Sequence, residues 1–171
     1  VSHPMQMIMS KMLSDDGFTS TFLEESKKRL QRSYQICTSA LGEADVPFVD
    51  AVAGIFVYAD FSSLLSKLVG PAKPNSNGVV VGDAFDGIKA ERIFGELLFS
   101  KCRIVLTPGQ AQRDHRPGRF RICYAWQSVP VLQIAMRRLK TFIAVLRGVR
   151  SADAGDLNLI ESLLDEAEIL K

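Results

Sequence analysis

The sequence predicts an α/β chain of the α+β kind, a small, mostly antiparallel sheet with helices packed on it, from three observations. From Arg103 to Trp126 the chain reads as two short strands joined by a polar loop punctuated by Pro and Gly. In the second strand Phe120, Ile122, Tyr124 and Trp126 alternate with Arg119, Arg121, Cys123 and Ala125, so one face is bulky and apolar and belongs against helices. Elsewhere apolar residues recur at helical spacing in segments bounded by Pro, Ser and Gly. The 171 residues are 47% hydrophobic and 23% charged, enough for one domain with a real core, and no apolar run is long enough to cross a bilayer.

Pro4 opens a first helix whose Met5, Ile8, Met9, Met12 and Leu13 form a flexible apolar stripe. Residues 14–17 break it. A longer helix follows, with Thr19 or Ser20 near its start, Glu24 and Glu25 in its early turns, and Gly42 as its stop. Its buried face reads Phe18, Phe22, Ser26, Leu30, Tyr34, Cys37 and Leu41, with Lys27, Lys28, Arg29 and Arg32 as a solvated cluster. Residues 46–49 and 55–60 read as strands, the second with Phe56 and Tyr58 on one face and Ile55 and Val57 on the other. Asp60 or Ser62 caps a short helix to Leu68, and PAKPNSNG is a loop by composition. From Asp86 to Lys101 the pattern is helical, with Ile93, Phe94, Leu97 and Leu98 inward and Glu91 and Glu96 outward. After the paired strands, Ser128 and Pro130 open another helix, with Leu132, Ala135, Leu139, Phe142 and Leu146 on its core face and Gly148 as its stop. Leu157, Ile160, Leu163, Leu164, Ala167 and Leu170 mark a final amphipathic helix with an acidic back. The expected division is a domain over residues 1–148 and a linker with an added helix over 149–171.

The candidate site is Arg121. Two side chains beside it on the polar face, Cys123 and Ala125, are small, which leaves room for a planar anion, and a guanidinium fork suits a carboxylate held by two parallel hydrogen bonds. From strand chemistry alone, a structural Asp or Glu is the more common partner for such an arginine. Cys37, Cys102 and Cys123 are odd in number and lie in apolar or strand-like surroundings, which points to reduced, buried thiols and an intracellular, cytoplasmic protein. His3 and His115 are too isolated for a zinc site or a catalytic triad. Gly82, Gly87 and Lys89 fail as a phosphate loop, because the lysine is displaced and no Ser or Thr follows it. Residues 101–150 carry eleven Lys and Arg against one acid, and residues 151–171 six acids against one Lys, so the tail can fold back to neutralise the basic segment. Nucleic-acid binding is a distant alternative, since no recognised motif accompanies that charge.

Leu106-Thr107-Pro108-Gly109, then seven residues, then Pro117 to Ala125 resembles the C-terminal part of 1-aminocyclopropane-1-carboxylate (ACC) synthases and related class I/II aminotransferases, which are fold-type I enzymes dependent on pyridoxal phosphate. The likeness extends upstream in order through Met12 to Asp15, Glu25 to Leu30 and Ala53 to Asp60. The resemblance implies that this is the small domain, that Arg121 grips the α-carboxylate of an amino-acid substrate, and that Gly54 and Ile55 border that pocket. It also implies an N-terminal large domain against which the first helix lies, a homodimeric parent, and S-adenosylmethionine as substrate in the ACC synthases. The chain departs from the family at Gln110-Ala111-Gln112 and at Arg119, where a Trp is usual, so amino-group exchange by an aminotransferase acting on another amino acid stays open. So does a non-catalytic interaction domain that keeps the fold. Neither a Ser-x-Ser-Lys motif nor Gly-x-Arg-x-Gly is found, so a truncated or partial product is expected, one that binds no cofactor by itself while pyridoxal phosphate serves the parent.

Overall fold

In the computed structural model, which describes residues 2–69 and 86–170, helices cover one face of a four-stranded antiparallel sheet and leave the other face open. Helix α1 (His3–Leu13) carries Pro4 in its first turn, where the missing N–H costs nothing. The Asp15 carboxylate then accepts the Phe18 N–H at 2.9 Å and starts α2 (Asp16–Glu43), ahead of Thr19 and Ser20. The helix runs past Gly42 to Glu43 because Ala44 and Asp45 close it, Asp45 in the left-handed region at φ 48°. Only its second half reaches the core: Cys37, Ala40 and Leu41 are buried and Leu30 and Tyr34 pack beside them, whereas Phe18 and Phe22 stack on each other in the open. The expected continuous inward face is therefore half right, since the first half of α2 leaves Phe18 and Phe22 exposed.

Strands β1 (Phe48–Val49) and β2 (Phe56–Asp60) are shorter than the sequence suggests. Helix α3 (Ser62–Leu65) follows, with the Asp60 carboxylate accepting the Ser62 N–H at 2.9 Å. The polar loop at 71–78 and Gly82 lie outside the described residues. Asp86 caps α4 (Gly87–Leu97), which continues as a π-helical turn through Cys102 until Arg103 ends it at φ 58°. That overrun is why no strand begins at Arg103; β3 is Thr107–Pro108 alone. Strand β4 (Arg119–Cys123) precedes α5 (Val129–Gly148), and α6 (Leu157–Glu166) is capped by Asp156.

The sheet order is β1-β2-β4-β3, so the central pair is β2 and β4, with Val57 opposite Ile122, Tyr58 opposite Arg121 and Ala59 opposite Phe120. Val57, Ala59, Phe120 and Ile122 are all buried against the helices. Phe120 lies among Phe61 and Phe94 with ring centroids 5.9 and 5.2 Å away, and Phe94 meets Phe142 of α5 at 5.4 Å. Offset and edge contacts of this kind add to the area each ring buries. Tyr124 continues the inward side, its hydroxyl donating to the Gly54 carbonyl at 2.7 Å. Trp126 does not: β4 stops at Cys123, the alternation ends with it, and the indole is 83% exposed.

The tail joins the same core. Ile160, Leu164 and Ile169 are buried, Lys101 pairs with Asp165 at 2.8 Å and Glu161 at 3.6 Å, and the Gly155 N–H donates to the Lys67 carbonyl. Residues beyond 148 are thus packed against the preceding span, with some of the basic excess of residues 101–150 answered by the acidic back of α6.

Glu91 corrects an expectation. It faces inward, only 4% exposed, and its Oε2 accepts the Gly118 N–H at 2.7 Å. The Gly118 carbonyl takes the Phe61 N–H, so one buried glycine ties α4, the residue before α3 and the start of β4 together. Gly118 sits at φ +89°, and a Cβ there would lie 2.6 Å from the Ser62 Cα. Gly118→Ala is expected to cost at least about 2 kcal/mol in urea unfolding, from strain and clash together. Glu91→Ala, which orphans the Gly118 N–H, is expected to cost about 1–3 kcal/mol, and Glu91→Gln, which keeps an acceptor, much less. Burial pushes the Glu91 carboxyl above the ordinary glutamate range, opposed by the Gly118 N–H and aided by Asp114. The folded state then holds this proton more tightly than the unfolded chain does. Stability is expected to fall as pH rises from the ordinary glutamate value through the raised one, and Glu91→Gln is expected to remove that slope in a pH series of unfolding curves.

Candidate functional site

The open face of the sheet carries a row of side chains set by register: Val49 of β1, Tyr58 of β2, Arg121 of β4 and Thr107 of β3. Beside this row lies an open cleft of about 390 Å³ lined by Phe56, Val57, Tyr58, Gln112, Asp114 and Arg121. Arg121 is half-buried, with its guanidinium carbon 4.3 Å from the centre of the Phe56 ring. Stacking on an aromatic face holds a cation without using its hydrogen-bond donors. Among the described residues no carboxylate pairs with it, and its buried Nε has no hydrogen-bond partner. An unmet buried donor costs on the order of 1–3 kcal/mol. The terminal nitrogens, unlike Nε, are not sealed in, and among the described residues they have no acceptor.

Both acids near this face are engaged elsewhere. Asp60 lies opposite Arg119 in the ladder and pairs with its Nε at 3.4 Å. Asp114, on the loop before β4, receives the Arg116 Nε at 2.9 Å on Oδ1 and the Arg116 Nη2 at 3.0 Å on Oδ2. It also receives the Arg116 N–H at 3.1 Å and the Tyr58 hydroxyl at 2.9 Å. The Arg116 side chain and N–H, with help from Tyr58, hold the Asp114 carboxyl far below the usual carboxylate range. Burial, with the hydrogen bond to Asp114, pushes the Tyr58 hydroxyl up. The strand arginine that carries the ion pair is therefore Arg119, and Arg121 has no acidic partner among the described residues.

Gly54 and Ile55 stand just ahead of β2, outside the residues that line the cleft; the Gly54 carbonyl is taken by Tyr124 and Ile55 is largely exposed. Phe56, next in the chain, reaches the arginine instead.

The sequence profile described as "Aminotransferase class I and II" matches residues 1–139. The chain belongs to this family. Among curated relatives, the 1-aminocyclopropane-1-carboxylate synthase CMA101 of Cucurbita maxima is 29% identical over 153 residues, covering 90% of this chain and 28% of the relative. The 1-aminocyclopropane-1-carboxylate synthase 3 of Solanum lycopersicum is 32% identical over 143 residues, 84% of this chain and 27% of the relative. The chain thus spans little more than a quarter of the length of these relatives. An aromatic aminotransferase from Pyrococcus horikoshii OT3 shares the fold, with a TM-score of 0.58 at 21% identity over 78% of this chain and 29% of that one.

Members of this aminotransferase family use pyridoxal phosphate, whose aldehyde needs an amine and whose phosphate needs several converging donors. The cleft lining holds neither a lysine nor a second cation, so it offers one guanidinium and these residues do not by themselves fit the cofactor. Among the described residues no cluster of His, Cys, Asp and Glu could hold a metal, and no helix is long and apolar enough to cross a membrane.

Sequence reasoning missed Tyr58, Asp114 and Arg116. Tyr58 stood on the right face of β2, but its neighbour in β4 depended on a register that the sequence does not state. The Asp-x-Arg spacing of Asp114 and Arg116 was the available signal for the second pair. The cysteines divide by face. Burial pushes the Cys37 and Cys102 thiols up to about 12, whereas Cys123, expected to be buried, is half-exposed because it follows Arg121 on the open side. Alkylation of the folded chain near pH 8 is expected to label Cys123 first, and peptide mapping that found Cys37 or Cys102 labelled at the same rate would contradict this placement.

Proposed function

We propose that the chain is the small, C-terminal domain of an ACC synthase-like enzyme and that Arg121 binds the α-carboxylate of its amino-acid substrate. The observation that carries this reading is a cation stacked on Phe56 beside a cleft, with no acid paired to it, while the neighbouring Arg119 has one. Bidentate capture fixes the substrate's carboxylate and with it the direction of the Cα bonds, which is a positioning contribution to catalysis. Gly54 and Ile55 would border the substrate beyond Phe56. In this reading the parent enzyme converts S-adenosylmethionine into ACC by α,γ-elimination, supported by the ACC synthase relatives; the pyridoxal phosphate and its lysine belong to residues outside this chain. A cytoplasmic, homodimeric parent with an N-terminal large domain is part of the same proposal. The half-exposed Met5, Met7, Ile8, Met9 and Met12 of α1 suit a helix that another apolar surface covers.

The departures at Gln110 to Gln112 and at Arg119 favour a second reading, a PLP-dependent aminotransferase of another amino acid, because Gln112 lines the cleft. A non-catalytic domain that keeps the fold is the remaining alternative, and a parent carrying the catalytic-lysine motif upstream excludes it. In the parent, Arg121→Ala or Arg121→Lys is expected to weaken substrate capture by roughly 2–5 kcal/mol, as for removal of one member of a buried charge pair. Unchanged kcat and KM in both variants would overturn the assignment. For the chain alone, borohydride reduction in the presence of pyridoxal phosphate is expected to mark no single lysine; stoichiometric labelling of one would contradict it.

A further inference from the structure

The cleft presents a puzzle of its own: Asp114 lines the same 390 Å³ space as Arg121, yet the two are unpaired. Opposite charges that face one cleft attract each other, yet the cation felt at Asp114 is Arg116, while the Arg121 guanidinium rests on Phe56. The four polar contacts of Asp114 supply the reason. Arg116 takes both carboxylate oxygens side-on and adds its own N–H, and the Tyr58 hydroxyl takes Oδ2 from across the sheet. Tyr58 is the ladder partner of Arg121, so the hydroxyl that holds Asp114 rises from the position beside the arginine. Gly109 makes the arrangement possible, since a Cβ there would lie 2.6 Å from that hydroxyl.

We propose that Arg116 is a positioning residue that sequesters Asp114, so that the internal carboxylate of the cleft does not occupy Arg121 in place of the carboxylate of an incoming ligand. The inference rests on the reading of Arg121 as a carboxylate site and adds a device that keeps the site vacant. Arg116 itself is largely exposed and does not line the cleft, so its effect on ligand passes through Asp114. Without Arg116, Asp114 keeps only the Tyr58 hydroxyl and the backbone N–H of residue 116, and Arg121 is the cation that remains in the cleft lining, Arg119 being held by Asp60. Apparent ligand affinity then falls by the fraction of time that Asp114 spends there.

The test uses the full 171-residue chain with acetate and L-alanine as probes, read through the Arg121 side-chain Nε–Hε resonance. Without any probe, Arg116→Ala is expected to shift that resonance, and the shift is expected to vanish on titrating a carboxylate to low pH. Arg116→Ala/Asp114→Asn is expected to restore the wild-type position. With acetate, Arg116→Ala is expected to bind roughly fivefold more weakly, as for competition by one partly exposed ion pair, and the double variant to regain wild-type affinity. An Arg121 resonance in Arg116→Ala that stays at its wild-type position, in a chain that unfolds normally in urea, would overturn the proposal. So would weakening that Asp114→Asn does not rescue, since that pattern marks a merely structural role for Arg116. Failure of the wild-type chain to bind either probe, together with the predicted probe-free shift, would instead count against Arg121 as a carboxylate site and leave the sequestering contact established.

Discussion

Phe120 fixes the direction of Arg121. Its ring is wholly buried among Phe61 and Phe94, and two residues on Ile122 is buried as well. Successive side chains of a strand point to opposite faces, so anchoring both even positions inward leaves the odd position between them no choice but the open face. A slip of one residue in β4 would drive two arginines into an aromatic core, at a cost far beyond the stability of a chain this size. The hydrophobic side of the strand thereby determines the chemical side.

Direction alone would not make Arg121 available, because arginines on a sheet face find acids readily. Here the guanidinium groups divide the acids among themselves. Arg119 holds Asp60 and Arg116 holds Asp114, while Arg121 rests on the Phe56 ring and retains an unmet buried donor. The unmet Nε is a cost the fold carries, and the terminal nitrogens are the part of the guanidinium left open beside the cleft. The alternating Arg-Phe-Arg of β4 thus places two chemically identical side chains two residues apart and gives them different partners.

Much of this was legible in the sequence, and the parts that were not share a cause. The inward set of β4 followed from period-two alternation, and most of the inward sets of α5 and α6 from helical spacing, because those patterns are local; past the end of α6, Ile169 is buried and Leu170 exposed. Trp126 was misplaced because alternation says nothing about where a strand stops. Glu91 was assigned to the outside because a carboxylate on a helix usually is; what brings it in is a buried N–H on a loop 27 residues away. Phe18 and Phe22 belong to a stripe that continues into the core, but burial needs a facing surface and α2 outruns it. The cleft itself depends on Tyr58 and Asp114, which are 56 residues apart and meet only through the β2 to β4 pairing.

The two Pro-Gly pairs that frame the loop before β4 acquire a common purpose from this geometry. Gly118 lets the loop end pass against the Ser62 backbone, where a side chain would collide, and gives up both of its backbone groups to Glu91 and Phe61. Gly109 lets the loop begin beneath the Tyr58 hydroxyl, and its carbonyl receives the Asp114 N–H at 3.0 Å. One glycine locates β4 against the helices, and the other locates Asp114 against the tyrosine. Between them the loop is pinned at both ends, so the carboxylate it carries lines the cleft while Arg116 and Tyr58 hold its oxygens. The loop is therefore where changes in sequence alter the charge of the cleft without disturbing the core, and in this chain Asp114 and Arg116 lie within it.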